Sequence, residues 1–319
     1  MEVNDFMLKL TNDLKEKRSV SDTTARLYIK NLWTVNGRKP FKSLTFLRKY
    51  DDVHQAMDGY APASQKTFVA SIVSALDGYK DKPMYKKAYN HWVDVMNGKV
   101  KEHNEAVASL DGGKTQKEHD NWVEWDDVQK KFEALKAEVA GFGKDITPKQ
   151  FQTLQDYFVL GLYTQQPPRR NADYLNMWVY KGNAKDLDNS RNYLILSSSG
   201  NPEKFIFNVY KTARRYGQQS EEVKPELADT IKHYLKYHPL QKGNRKRTLT
   251  YKMLVKHDGS LLESANSITR ILNRLFGKKV GSSLLRHSYL SGKYNLEEME
   301  EDARMMAHSV TQQREYLRT

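Results

Sequence analysis

At 319 residues the chain is long enough for two domains of ordinary size, each burying its own core. Its 52 Lys+Arg against 39 Asp+Glu leave a net charge of +13, which favours an anionic polymer or a membrane surface as partner. The absence of cysteine excludes disulfide frameworks, thiolate metal sites and cysteine nucleophiles together. The N-terminal stretch MEVNDFMLKLTNDLKEKRSV lacks the apolar core of a signal peptide, and no run of about 18 apolar residues occurs, so the chain reads as soluble and intracellular, without a membrane partner.

Residues 1–109 read as helical. Ala25, Tyr28, Ile29, Leu32 and Trp33 form one stripe of a helix that Ser21 caps. Phe68, Val69, Ile72, Val73 and Leu76 form a second stripe, and the polar-aromatic run from Met84 to Ala108 predicts another helix. Residues 110–121, LDGGKTQKEHDN, carry turn formers and charge without periodicity, which reads as an interdomain linker. The GGKT inside it is similar to the end of a phosphate-binding P-loop, but that motif needs a glycine where this chain has Ala108, so no nucleotide site is expected.

Residues 122–319 read as the second domain. Thr147 and Pro148 suit the N-cap and first turn of a helix burying Phe151, Leu154, Phe158 and Leu162. Two strand-like runs follow at 191–197 and 204–210, separated by turn residues that predict a hairpin. A helix from Pro225 places Leu227, Ile231 and Leu235 on one side, TLTYKML is a strand or turn, and helices return to the end. The expected fold is therefore mainly α, with a small antiparallel sheet in the C-terminal domain.

Phosphodiester transfer by a tyrosine asks for a short list of groups. Cations must hold the non-bridging oxygens where charge builds, and planar arginines do so bidentately. A donor must protonate the leaving 5′ oxygen, and the phenol needs assistance because its ordinary pKa is about 10. Four segments carry such groups in order: QPPRRNADYLNMW (166–178), NVYKTARRYG (208–217), GSSLLRHSYLSGKY (281–294) and MMAHSVTQQREYLR (305–318).

In these segments the chain resembles the tyrosine recombinases, or phage integrases, over about 150 residues from Arg170 to Tyr316. The stretches PPRR, YKTA, LLRHSYLS and MAHSVTQQREYL are especially similar to divergent members from large DNA viruses and associated mobile elements. The resemblance implies a two-domain, C-shaped clamp around duplex DNA, with a helical core-binding domain at 1–109 and an α+β catalytic domain at 122–319. It implies a site-specific recombinase that cleaves and rejoins DNA through a 3′-phosphotyrosine intermediate, without metal or other cofactor, working as a homo-tetramer on double-stranded DNA.

By the same resemblance Arg170 is the first arginine, with Arg169 the neighbouring alternative and Asp173 its acidic support. Leu175, Met177 and Trp178 continue the family's acidic and leucine-rich helix. Lys211 is the hairpin lysine that protonates the 5′ hydroxyl, Arg286 the second arginine, His308 the second histidine position and Tyr316 the nucleophile. Two positions depart from the pattern. The family's first histidine is Ser283 here, which leaves general-base assistance open, with His287 available or engaged in a structural hydrogen bond. Only three residues follow Tyr316, where family members carry a further docking segment, so the chain is expected to be truncated or to assemble by other contacts.

Basic clusters supply phosphate contacts at Arg214 and Arg215, and at Lys242, Arg245, Lys246 and Arg247. Histidines give no metal pattern, since His233 and His238 are five apart, off the spacing of a helical ligand pair. Two alternatives share the residues: a monomeric type IB topoisomerase, and a DNA-binding module of the same fold with impaired catalysis.

Overall fold

The computed structural model describes residues 1–109, 114–182, 187–241, 249–262, 264–292 and 302–307. His308, Tyr316, Lys242, Arg245, Lys246 and Arg247 lie outside the described residues. The chain divides into two compact units, Met1–Leu110 and Asp111–Thr319.

The first unit is helical: α1 (Asp5–Lys17), α2 (Asp22–Val35), α3 (Tyr50–Met57), α4 (Pro62–Asp77) and α5 (Pro83–Ala108), with a 3-10 turn at Thr45–Arg48. Local chemistry sets the helix starts. Asn4 and Ser21 accept hydrogen bonds from the Met7 and Thr24 amides, satisfying donors that the first turn leaves unpaired. The two stripes read from sequence are the buried faces, with Ala25, Ile29 and Leu32 of α2 meeting Phe68, Val69, Ile72 and Leu76 of α4 in one core. Trp92 of α5 fills its centre and donates its indole N–H to the Leu47 carbonyl at 2.8 Å, so the bulkiest core group leaves no polar atom unsatisfied there.

The second unit runs α6 (Gln116–Asn121), α7 (Trp125–Ala140), α8 (Pro148–Thr164), α9 (Asn171–Leu175), β1 (Met177–Lys181), β2 (Asn192–Leu196), β3 (Pro202–Phe207), α10 (Ala213–Tyr216), β4 (Gln219–Glu222), α11 (Pro225–Lys236), β5 (Leu249–Lys252), α12 (Ala265–Phe276) and α13 (Ser282–Ser291). Its axis is α8, started by a capping box in which Thr147 and Gln150 satisfy each other's amides. Phe151, Leu154, Phe158 and Leu162 are buried as expected, but so is every other residue from Leu154 to Tyr163, because helices and sheet surround α8. Gly161 lets α11 approach closely, since a Cβ there would meet Thr230 Cγ2 at 2.8 Å.

The sheet has five strands in the order β4-β3-β2-β1-β5. It is mixed, not antiparallel as the sequence suggested, because β1 pairs with β2 in parallel, Met177 opposite Asn192 through Lys181 opposite Leu196. β1 is the strand the sequence hid: Met177 and Trp178, read as continuing a helix, follow its end at Leu175, and their alternating burial belongs to a strand. The hairpin of β2 and β3 is present and antiparallel. Part of the stretch read as linker is also folded. Gln116–Asn121 is helical because Thr115 and Glu118 form a second capping box, a signal outranked in sequence by the glycines before it.

Two buried titratable groups give the second unit opposite pH slopes. Burial pushes the Asp156 carboxyl up to about 6, against the pull of its partner Arg274. Burial pushes the His238 imidazole down to about 4; it sits between the Met253 carbonyl and the Leu240 amide. The fold holds a proton on Asp156 that the unfolded chain releases, so this contribution is full below about 3.8 and withdrawn as pH rises through about 6. The unfolded chain takes up a proton that folded His238 refuses, so that contribution is full above about 6.5 and lost as pH falls towards 4. In the wild type the slopes overlap. Asp156→Asn removes the first and is expected to steepen the loss of stability between pH 6 and 4, by up to about 3 kcal/mol. Urea titrations at stepped pH would measure this, and an unchanged profile would refute it.

Candidate active site

The site grows from the PPRR turn after α8. Gln166 and Leu162 hold the buried Tyr174 hydroxyl from the end of α8, and the Tyr163 hydroxyl donates to the Asn171 side-chain oxygen while the Asn171 amide donates to Thr269 of α12. These bonds fix α9, and with it the two arginines that precede it.

The arginines differ sharply. Arg169 is 2% exposed and committed: its Nε donates to Asp173 at 3.2 Å, and its Nη1 to the Gln219 side chain at 2.9 Å and the Met305 carbonyl at 2.6 Å. Its guanidinium also lies 3.7 Å from the Phe207 ring centroid. Arg170, the N-terminal flank of α9, is half-buried, and its Nη1 is shielded from water without a hydrogen-bond partner among the described residues. Arg169 is thus anchored by three donated bonds while Arg170 is the more exposed, although Arg169 Nη2, like Arg170 Nη1, is shielded from water without a hydrogen-bond partner among the described residues.

Asp173 is the electrostatic centre. Burial raises its carboxyl above the usual range, opposed first by Arg169, then by Arg170 and Arg286. Arg286, on the buried face of α13, is 1% exposed and is also felt by the Tyr163 hydroxyl. Arginines 116 positions apart, Arg170 and Arg286, thus act on one carboxyl. Among the described residues three guanidiniums thus act on this one buried carboxyl, two of them buried with it.

Lys211 is exposed and sits in the connection between β3 and β4, which pair antiparallel from Lys204 opposite Glu222 to Phe207 opposite Gln219. It lies on a hairpin, though not the β2–β3 hairpin foreseen. Both neighbours are anchored: the Tyr210 hydroxyl donates to the Gly217 carbonyl, and the Thr212 hydroxyl to the Ala307 carbonyl. At the loop's start the buried Asn192 accepts from the Asn208 and Val209 amides and donates to the Asp173 carbonyl, joining loop to α9. Arg214 and Arg215 are exposed on α10.

Ser283 is exposed on α13, three residues before Arg286, while His287 is buried with its Nε2 3.6 Å from the Glu118 carboxylate of α6. Asn192, Gln219 and Thr212 were not found from sequence, because their partners lie between 16 and 95 residues away. A second missed feature belongs to the first unit. A groove of about 700 Å³ between α2 and α4 is lined by Lys30, Asn31, Thr34, Arg38, Ser64 and Thr67, with Trp33 and Tyr60, and has no acidic lining residue.

Fold and cluster together define a helical unit and a mixed α/β unit, the latter built around buried arginines. No family model matches the chain, and no curated protein matches it significantly. Among solved structures, the crystal structure of XerA recombinase is similar at 12% identity and a TM-score of 0.39, covering 99% of this chain and 94% of that one. So loose a likeness says nothing of chemistry. No helix among the described residues is long and apolar enough to cross a membrane.

The two arginines should separate by stability. Arg169→Ala strands a buried carboxyl and is expected to cost about 3 kcal/mol in urea unfolding. Arg170→Ala should cost less than about 1 kcal/mol, and equal losses would show that both arginines are structural.

Proposed function

We propose that this protein is a DNA strand transferase of the tyrosine-recombinase type. The observation that carries the reading is the convergence of Arg170 and Arg286 on Asp173, beside a hairpin that bears Lys211 and is bonded to Ala307, the residue before His308. In the proposed reaction Arg170 and Arg286 hold the non-bridging oxygens of a DNA phosphate, with Asp173 supporting them. The Tyr316 oxygen attacks phosphorus and its proton leaves to solvent or His308. The bond to the 5′ oxygen breaks, and Lys211 supplies the proton that oxygen takes up. A new 5′ hydroxyl later reverses the step on another strand.

Charge supports this assignment. A phosphodiester carries one negative charge and its five-coordinate transition state close to two, which a cluster of three guanidiniums and one carboxylate matches better as the reaction proceeds. The acid-free groove between α2 and α4 supports duplex binding by the first unit, its cations meeting phosphates and its Ser and Thr side chains suited to base edges. Assembly as a tetramer on two sites belongs to the same proposal.

One observation favours a second reading, a DNA-binding module that does not transfer strands: Ser283 offers no imidazole beside Arg286, and His287 is turned to Glu118. A nicked suicide duplex distinguishes the two. The wild type should form a covalent adduct without added metal, and Tyr316→Phe none. Arg170→Ala should slow adduct formation about 10²- to 10³-fold. Equal adduct from wild type and Tyr316→Phe, or none from either, would end the strand-transferase reading. Separately, Lys30→Gln and Arg38→Gln should each lower the slope of log affinity against log salt by about 1, which filter binding at stepped salt would measure.

A further inference from the structure

Residues 302–307 are strapped onto the β3–β4 hairpin. The Gln219 amide donates to the Arg304 carbonyl at 2.8 Å, Arg169 to the Met305 carbonyl at 2.6 Å, and Thr212 to the Ala307 carbonyl at 2.9 Å. The Arg304 side chain pairs with Glu221 of β4 at 2.9 Å. Two details single out Thr212. It stands at the N-cap of α10, where a threonine hydroxyl ordinarily accepts from the helix's own amides, yet it makes no such bond and donates across 95 residues instead. The carbonyl it reaches belongs to Ala307, a buried non-glycine residue at φ 55°, a left-handed conformation that costs on the order of 1 kcal/mol and persists where surroundings enforce it.

We propose that Thr212 is a positioning residue that locks the Lys211 loop to the 302–307 strap, so that the general acid is held in place for proton delivery. The inference rests on the strand-transfer reading above and adds to it a residue that touches no substrate. Thr212 follows Lys211 directly, so removing its hydroxyl removes a tie between the lysine's backbone and the 302–307 strap. The chemistry affected is proton delivery: as the bond between phosphorus and the 5′ oxygen breaks, that oxygen must gain a proton from Lys211.

The test uses the full chain and two suicide duplexes, one with the natural 5′ oxygen at the cleaved bond and one with sulfur there. A thiolate leaves without a proton, so the sulfur substrate bypasses the general acid. Thr212→Val keeps shape and removes the hydroxyl; Thr212→Ser keeps the hydroxyl. Thr212→Val is expected to bind duplex within twofold of wild type and cleave the oxygen substrate about 10- to 100-fold more slowly. It should recover most of that loss on sulfur, as Lys211→Ala should, while Thr212→Ser cleaves like wild type. A wild-type rate for Thr212→Val on oxygen, or a loss that persists on sulfur, would overturn the proposal. If the wild type forms no adduct with either substrate, the strand-transfer reading fails and this one falls with it. If the wild type reacts and Thr212→Val equals it, only the positioning role fails.

Discussion

The C-terminal unit depends on one guanidinium. Arg169 and Asp173 are both about 2% exposed, and taking both charges from water costs several kcal/mol that a single ion pair does not return. The remainder comes from what else Arg169 touches: the Met305 carbonyl, the Gln219 amide oxygen and the face of Phe207. Those partners come from the 302–307 strap, β4 and β3, while Arg169 itself precedes α9. Four regions of the chain therefore meet on one side chain whose planar donors point in fixed directions. Any displacement of one region strands a buried charge, so the arrangement is held by the cost of breaking it rather than by the strength of each bond.

That rigidity gives Arg170 its character. Adjacent residues at a helix start project in different directions, so the neighbour of an arginine anchored by three hydrogen bonds is carried into place with it and still acts on Asp173. Arg170 enters a region where Asp173 already feels Arg286, and where burial makes the carboxyl reluctant to ionise. Charges gathered where water screens them weakly act on one another strongly, which is why three guanidiniums are felt at this one carboxyl. The asymmetry between the two arginines thus follows from packing, whatever the reaction.

Much of this was legible in the sequence, and the rest was hidden for physical reasons. Caps at Ser21 and Thr147 and the stripes of α2, α4, α8 and α11 rest on local spacing, and local spacing survives folding. β1 did not: Met177–Lys181 directly follows a helix of five residues, and its partner β2 in parallel comes only after an intervening connection. β4, Gln219–Glu222, is polar and has no apolar alternation to announce it. Arg170, Lys211 and Arg286 were named through the resemblance that the order of motifs carries, and their roles are proposals, whereas Asn192, Thr212 and Gln219 act through long-range backbone contacts that no motif encodes. His308 and Tyr316 were named from sequence and remain proposals, outside the described residues.

Ser283 places a particular demand on the proposed chemistry. Its exposed hydroxyl is on the same turn of α13 as Arg286, and the neighbouring imidazole, His287, is buried against Glu118, so this position of α13 carries a hydroxyl that does not accept a proton near neutral pH. Electrostatics offers another route. Positive charge near a phenol favours the phenolate, by the same Coulombic effect that favours an ionised carboxylate beside arginine. A cluster that binds phosphate through its excess charge would also lower the pKa of a tyrosine brought to that phosphate. In the proposed reaction, activation would then draw on the positive charge of the arginines, with His308 or solvent taking the proton.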